Sequence, residues 1–516
     1  MIKIGDEHIK EAEELLVKGE SFDIKERIPF IKTFYSCDLL SVPGSGKTTA
    51  LLAKLFCLAK HLPLKHGGGI LVLSHTNAAV NEIKRKLQKV APRLFEYPNF
   101  IGTVQSFINK FMANPACYLK YNSYIHHNDN DIYEREANTF FYSLQWKKTE
   151  PKGLKNKLYG RINIGKNDLS FPEKEENVRA FLKYFELDVY NRKSLYNGKS
   201  FYTYNGKSKD YYLELEKWKA ELFSEGILNY KDSYSLANWY IKNYPYVVTL
   251  LQNRFRYVFI DEMQDLEKYQ ISIIDDIFYN ECSPTILQRI GDINQSIYNS
   301  GKKVKTSADW IAREPIMYLN DSRRLTKEVS NIVNLFTLDR QKDENGNPRF
   351  VVQGTRKLDK CIKPHLILFN HKTKGQLSAK FADIIKQYGL EKTPEGKKYG
   401  FKIIGWNAKW DDNEDHDGKL RLEDIFDGYK KENATVKNYH DSLSKFLLYF
   451  DKSKNTLGDA RRAILNVLLQ ILRFEKKMCL ANIRGTEKER YFTNHDLILL
   501  PAITNTQFLV NKSAEK

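Results

Sequence analysis

Ser41-Val42-Pro43-Gly44-Ser45-Gly46-Lys47-Thr48 is the stretch that decides the fold. The apolar run Cys37-Asp38-Leu39-Leu40 precedes it, and leucines at helical spacing follow from Thr48 to His61. A strand therefore enters a glycine-rich turn and a helix leaves it, the context a phosphate-binding loop requires. Glycines let backbone N–H groups turn inward on a β-phosphate, Lys47 neutralises the β and γ oxygens, and the Thr48 hydroxyl suits Mg²⁺. Gly44, Ser45, Gly46, Lys47, Thr48 and Thr49 form the expected nucleotide-binding set. Ser41 stands where the pattern has its first glycine, a change that a small residue tolerates. A chance Gly-Ser-Gly-Lys-Thr in a flexible loop would lack the flanking strand and helix.

Further along, Gly69-Ile70-Leu71-Val72-Leu73, Tyr257-Val258-Phe259-Ile260 and Thr285 to Ile290 are apolar runs bounded by turn residues. Such runs read as buried strands of a parallel sheet, so the chain opens as a βαβ unit of an α/β protein. The run ending at Ile260 meets Asp261-Glu262, two adjacent carboxylates some 215 residues after the loop. Asp261 is expected to hold Mg²⁺ through water and Glu262 to polarise the attacking water. The pairing with the loop points to nucleoside triphosphate hydrolysis.

The 516 residues allow about three globular units. Lys and Arg number 82 against 64 Asp and Glu, a formal charge of +18 that suits a polyanionic partner. No run of 18 apolar residues occurs, and Met1 to Lys10 lacks an apolar signal core, so the chain is expected to be soluble, unexported and cytoplasmic. The six cysteines are scattered without a C-x-x-C pair, which argues against a zinc site or a disulfide framework and for reduced core thiols. Asn413 to Asp424 imitates a calcium loop only loosely, because it starts with Asn and ends in Asp rather than Glu; it reads as a solvated acidic loop.

From about Ala113 to Lys231 the chain becomes rich in Tyr, Lys and Asn; residues 141–210 carry 15 basic and 8 acidic side chains. Tyr196-Asn197-Gly198-Lys199 and Tyr204-Asn205-Gly206-Lys207 are each a type I′ hairpin signal within what reads as an insertion, whose charge and aromatics suit either DNA contact or simply a soluble surface. After about Asn320 a second α/β pattern follows: a helix near Thr326 to Phe336, a strand His365 to Phe369, a helix Gly375 to Tyr388 and a strand Phe401 to Trp406. A long apolar helix around Ala460 to Phe474 and a strand at Asp496 to Leu500 are expected beyond.

Asp261-Glu262-Met263-Gln264-Asp265 resembles the D-E-x-Q-D box of the UvrD/Rep/PcrA-type superfamily 1A DNA helicases. Five further stretches resemble that family in its own order. They are His75-Thr76-Asn77-Ala78-Ala79 (motif Ia), Gly102-Thr103-Val104-Gln105-Ser106-Phe107, and Glu225 to Asp232, followed by Gly291-Asp292-Ile293-Asn294-Gln295-Ser296-Ile297-Tyr298 (motif III) and Leu319-Asn320-Asp321-Ser322-Arg323-Arg324 (motif IV). The resemblance implies two RecA-like lobes that close on ATP and Mg²⁺ and step 3′→5′ along single-stranded or partly duplex DNA. It further implies that Gln295 senses the γ-phosphate and Arg324 reaches it, joining Lys47, Asp261 and Glu262 in catalysis. His75, Thr76, Asn77, Thr103 and Ser106 match strand-contacting positions, and Tyr298 matches a base-stacking aromatic. Singly, such polar residues also serve as turn caps.

Departures accompany the resemblance. Glu26 stands at the upstream glutamine position, Arg323 replaces the tyrosine that stacks on adenine and would stack through its guanidinium plane, and Ser300 replaces an aromatic. No T-x-H-x-x-K-G-[EQ] box (motif V) and no second arginine box (motif VI) is found before Lys516, so a truncated chain or a motor that needs a partner is expected. The implied layout is a first RecA-like lobe, 1–112 with 232–318, interrupted by a mainly helical basic insertion at 113–231. An incomplete second lobe at 319–516 carries a helical insertion from about 407. The second-lobe layout also resembles the compact UvrD-like helicases that accompany OLD-family nucleases in Gabija-type anti-phage systems. An ATP-dependent DNA helicase or translocase in repair or defence is the expected function. An ATP- and DNA-sensing regulatory subunit of a partner nuclease is the alternative.

Overall fold

A computed structural model describes residues 2–64, 67–143, 154–163, 170–206, 211–280, 283–296, 310–337, 350–357, 362–370, 372–405 and 420–426. Its centre is a six-stranded sheet built from β1 (Cys37–Ser41), β2 (Gly69–Ser74), β3 (Phe100–Thr103), β4 (Phe255–Asp261), β5 (Ile286–Gly291) and β6 (Ile316–Leu319). The spatial order is β6-β1-β5-β4-β2-β3, with parallel pairing of β1 to both β5 and β6 and of β2 to β3. Every residue of β1 and β2 is buried, the signature of strands covered on both faces. The fold class is therefore α/β with a parallel central sheet, as expected. β1, β2, β4 and β5 occupy the four apolar runs, while β3 and β6 add strands that those runs did not mark.

The chain divides into two compact units. The first holds the described residues of 1–61, 261–265 and 288–436, and its core lies around β1 and the helix Lys47–Ala59, whose Leu51, Leu55, Cys57 and Leu58 are fully buried. Asp38 and Arg289, opposite each other on β1 and β5, form a buried two-pronged ion pair, with Nε to Oδ1 at 2.7 Å and Nη2 to Oδ2 at 2.5 Å. The Arg313 N–H adds a bond to Asp38 Oδ2 at 2.7 Å. A buried charge is tolerated only with such complete partnering.

The second unit holds the described residues of 62–260 and 266–287. Phe107, Phe111, Phe255 and Phe278 meet ring to ring at 5.2–6.2 Å in its core. It also contains the helices Asn130–Ser143, Leu154–Arg161, Phe171–Tyr184 and Tyr211–Ser224, together with an antiparallel sheet of Phe185–Asp188, Lys193–Tyr196 and Lys199–Thr203. Asn197 and Gly198 join the last two strands at φ +52° and +73°, the type I′ turn expected there. Lys207, in the second Asn-Gly echo, lies outside the described residues. Fully buried Lys219 is ion-paired with Asp232, which also closes a capping box with Asn229 on the helix Tyr230–Asn243.

Between 321 and 405 the two helical expectations hold over the described residues and the two strand expectations do not. Helices occupy Lys327–Val333 and Leu377–Gln387, but 365–369 and 401–405 form no strand. Leu366, Leu368 and Ile404 are 84–92% exposed there. An apolar run becomes a strand only beside another one, and among the described residues no strand flanks either segment. Trp406, the stretch 460–474 and the stretch 496–500 lie outside the described residues. Asp424, from the acidic loop, caps the one-turn helix Leu422–Ile425 and pairs with Lys374 at 2.5 Å. Cys37, Cys57 and Cys117 are free and buried; burial pushes the Cys37 thiol up to about 11 and the other two up to about 12. No helix among the described residues is long and apolar enough to cross a membrane.

Candidate nucleoside triphosphate site

The loop after β1 needs glycine twice. Gly44 and Gly46 lie at φ +79° and +80°, a region that costs an L-residue free energy. A Cβ on Gly44 would also stand 2.4 Å from Arg324 Cβ and 2.9 Å from Ser322 Oγ. Gly46 caps the helix Lys47–Ala59, so Lys47, Thr48 and Thr49 fall in its first turn, where free N–H groups and the helix dipole favour an anion. Ser45 is 1% exposed, and its hydroxyl has no hydrogen-bond partner among the described residues.

Lys47 Nζ donates to Glu262 Oε2 at 2.5 Å, which joins the loop to the end of β4. Glu262 sits at φ +57° and turns the chain abruptly out of the strand. Such a conformation in a non-glycine residue costs about 1–3 kcal/mol and persists only where its surroundings enforce it. Here Asp261 Oδ1 accepts the Glu262 N–H at 2.9 Å, and Gln264 Nε2 donates to Glu262 Oε2 at 2.6 Å. Gln264 Oε1 in turn accepts the Asp292 N–H at 2.9 Å, and Asp292 Oδ2 accepts from Gln295 Nε2 at 2.8 Å. A continuous chain of hydrogen bonds thus runs from Lys47 through Glu262 and Gln264 to Gln295. Gly291 makes room for it, since a Cβ there would stand 2.6 Å from Gln264 Oε1 and 2.7 Å from the Trp310 ring.

Burial pushes the Asp265 and Asp292 carboxyls up to about 6. For Asp265 the neighbouring Glu262 charge adds to the rise and Lys47 opposes it. Arg324 is exposed beside Gly44, and the Arg323 guanidinium is bonded to Glu20 Oε2 at 2.6 Å and Ser21 O at 3.0 Å. The described residues hold no cluster of three or more His, Cys, Asp or Glu able to bind a metal by themselves. Mg²⁺ in a nucleotide site takes one or two protein oxygens and fills the rest with phosphate and water. The Thr48 hydroxyl and the Asp261 carboxylate are hard oxygen donors of that kind.

The residues expected to meet DNA lie in the second unit, apart from Tyr298, which is outside the described residues. Ser74 of β2 pairs in register with Thr103 of β3, so the segments after both strands leave from adjacent carboxyl ends. Thr76 caps the helix Asn77–Leu87 by accepting the Ala79 N–H at 3.3 Å, and Thr103 caps Val104–Ile108 by accepting the Ser106 N–H at 3.1 Å. Ser106 Oγ returns a bond to Thr103 O at 2.7 Å. His75 is half-buried and Asn77 exposed.

Sequence reasoning did not assign roles to Gln264, Asp292 or Arg27. Gln264 and Asp292 stood inside quoted boxes, but their bond spans 28 positions and leaves no local pattern. For Arg27 the one local pattern in the sequence is its i, i+4 spacing from Asp23.

Residues 32–300 match the UvrD/REP helicase N-terminal domain. The chain is 26% identical over 265 residues to the ATP-dependent DNA helicase Rep of Buchnera aphidicola subsp. Schizaphis graminum, a match covering 51% of this chain and 35% of that protein. It is 22% identical over 309 residues to the probable DNA helicase II homolog of Mycoplasma capricolum, covering 58% of this chain and 38% of that protein. The chain thus spans little more than a third of the length of these curated relatives. With the match extending over more than half of its 516 residues, and with the phosphate loop and the Asp-Glu strand end inside it, the chain belongs to the UvrD/REP helicase N-terminal domain family.

Proposed function

We propose that this chain is the ATP-hydrolysing part of a DNA helicase or translocase. The observation that carries the reading is the Lys47–Glu262 contact at 2.5 Å, with the Asp261 carboxylate beside it and Gln295 linked to it through Gln264. In the catalytic step Lys47 and the loop amides hold the β and γ phosphates, Thr48 and Asp261 hold Mg²⁺, and Glu262 orients the water. Bound nucleotide must first draw Lys47 off Glu262, which frees the carboxylate to act. Mg²⁺ supplies charge neutralisation at the phosphates.

The lobe arrangement, 1–112 with 232–318 around an insertion at 113–231 and a second lobe from 319, is part of this reading. Strands from both parts of the first lobe in one sheet support it. The DNA-contacting roles of His75, Thr76, Asn77, Thr103, Ser106 and Tyr298, and those of Arg323 and Arg324 at the nucleotide, belong to it as well. A cytoplasmic setting is part of the proposal, while the 3′→5′ direction and service in repair or beside an OLD-family nuclease rest on the sequence resemblance. An ATP- and DNA-sensing regulatory subunit that controls a partner nuclease, with little unwinding of its own, is the alternative.

The test is Mg²⁺-dependent ATP hydrolysis by wild type, Lys47→Ala and Glu262→Gln. Each substitution is expected to lower turnover by about 10²-fold or more. Undiminished turnover in either variant would overturn the assignment.

A further inference from the structure

Arg27 belongs to none of the motifs and is 3% exposed. Its Nε donates to Ser45 O at 3.0 Å, and its Nη2 donates to the same oxygen and to Asp321 O, the latter at 3.1 Å. Asp23 holds the remaining nitrogen. Next to it, Glu26 Oε2 accepts the Asn320 and Asp321 N–H groups at 2.9 and 3.4 Å. Ser322 Oγ donates to Pro43 O at 2.6 Å, and the Arg323 N–H donates to Gly44 O at 3.0 Å. Three consecutive carbonyls of the phosphate loop are therefore each captured from outside.

A trans peptide carries its C=O and N–H on opposite sides. Holding the Pro43 and Ser45 carbonyls outward turns the Gly44 and Gly46 N–H groups the other way, as an anion-binding nest requires. The Ser45 N–H closes the turn on Val42 O at 3.1 Å. A doubly donated, charge-assisted bond on Ser45 O is the strongest of these outer contacts.

We propose that Arg27 is a positioning residue for nucleotide: it holds the phosphate loop in its anion-binding shape before the ligand arrives and, through Asp321, ties to it the segment that carries Arg324. The inference rests on the nucleotide-binding reading of the loop. Because the collar shapes the phosphate cradle and not a base pocket, it favours any nucleoside di- or triphosphate alike. Glu26, at the position where the family resemblance has a glutamine, is engaged with backbone amides in the same collar.

The experiment is fluorescence titration of N-methylanthraniloyl ADP and GDP with the full chain, comparing wild type, Arg27→Ala, Arg27→Lys, Ser322→Ala and Lys47→Ala, with a thermal melt of each. Arg27→Ala is expected to weaken both nucleotides by about tenfold or more and by the same factor. Arg27→Lys, which keeps the charge but loses the fork, is expected to fall between it and wild type. Arg27→Ala binding as tightly as wild type would overturn the proposal, as would a loss confined to one base. If Arg27→Ala gives no cooperative melt, Ser322→Ala decides: weakened binding supports the collar and unchanged binding overturns it. Wild type that binds neither nucleotide, like Lys47→Ala, would remove the nucleotide reading and the proposal with it. Tight wild-type binding with an indifferent Arg27 removes the proposal alone.

Discussion

Gly291 shows how a single hydrogen atom can make room for a hydrogen-bonded network. It lies at an ordinary backbone φ, so its necessity is one of space: Gln264 Oε1 and the Trp310 ring occupy where a methyl would go, with Met263 N at 3.2 Å behind them. Gly291→Ala is expected to cost about 1–3 kcal/mol of stability by overpacking and to displace the Gln264 amide. ATP turnover should then fall further than the drop in thermal midpoint explains, measured on the same preparation. Among the proposed DNA contacts, single residues separate structure from contact. Thr76→Ala removes a helix cap and should cost about 1 kcal/mol. Asn77→Ala removes an exposed amide one position on, so it should weaken single-stranded DNA binding in a filter or anisotropy assay while leaving the melting temperature unchanged. Equal affinity for Asn77→Ala and wild type would count against a DNA role for that helix start.

Elements of this fold were legible in the sequence where their determinants are local. β1, β2, β4 and β5 are apolar runs closed by turn residues, and the phosphate loop advertises itself through glycine and lysine spacing. β3 and β6 are four-residue strands, only partly buried, with too short a run to stand out. The runs at 365–369 and 401–405 carried a strand's pattern but have no neighbouring strand among the described residues. The collar on the loop could not be read from sequence at all, since Arg27 meets Ser45 across 18 positions and Asp321 across 294. Asp38 and Arg289, 251 positions apart, are the same kind of case. Asp38→Ala would leave Arg289 buried and uncompensated on β5, a loss of about 3–5 kcal/mol. The double variant Asp38→Leu/Arg289→Met should recover most of that loss in a thermal melt. A double variant as unstable as the single would mean that the pair does more than neutralise itself.

For the whole molecule, the charge of +18 gains a physical context without gaining a path. The described residues of 113–231 combine basic and aromatic side chains on helices and a small antiparallel sheet, the composition that suits phosphate contact and base stacking. Binding driven by phosphate neutralisation loses affinity with salt, with a slope of about −0.7 per contacted phosphate on a single strand. The nucleotide site stands on named contacts within one compact unit, from Lys47 to Gln295, whereas its coupling to DNA is a functional claim. Steady-state ATP turnover by this chain, with and without saturating oligothymidylate, tests that coupling most directly. Turnover is expected to rise about tenfold or more with the oligonucleotide, to lose that rise as salt increases, and to vanish in Lys47→Ala. Turnover that Lys47→Ala abolishes but DNA leaves unchanged would contradict a DNA-driven motor.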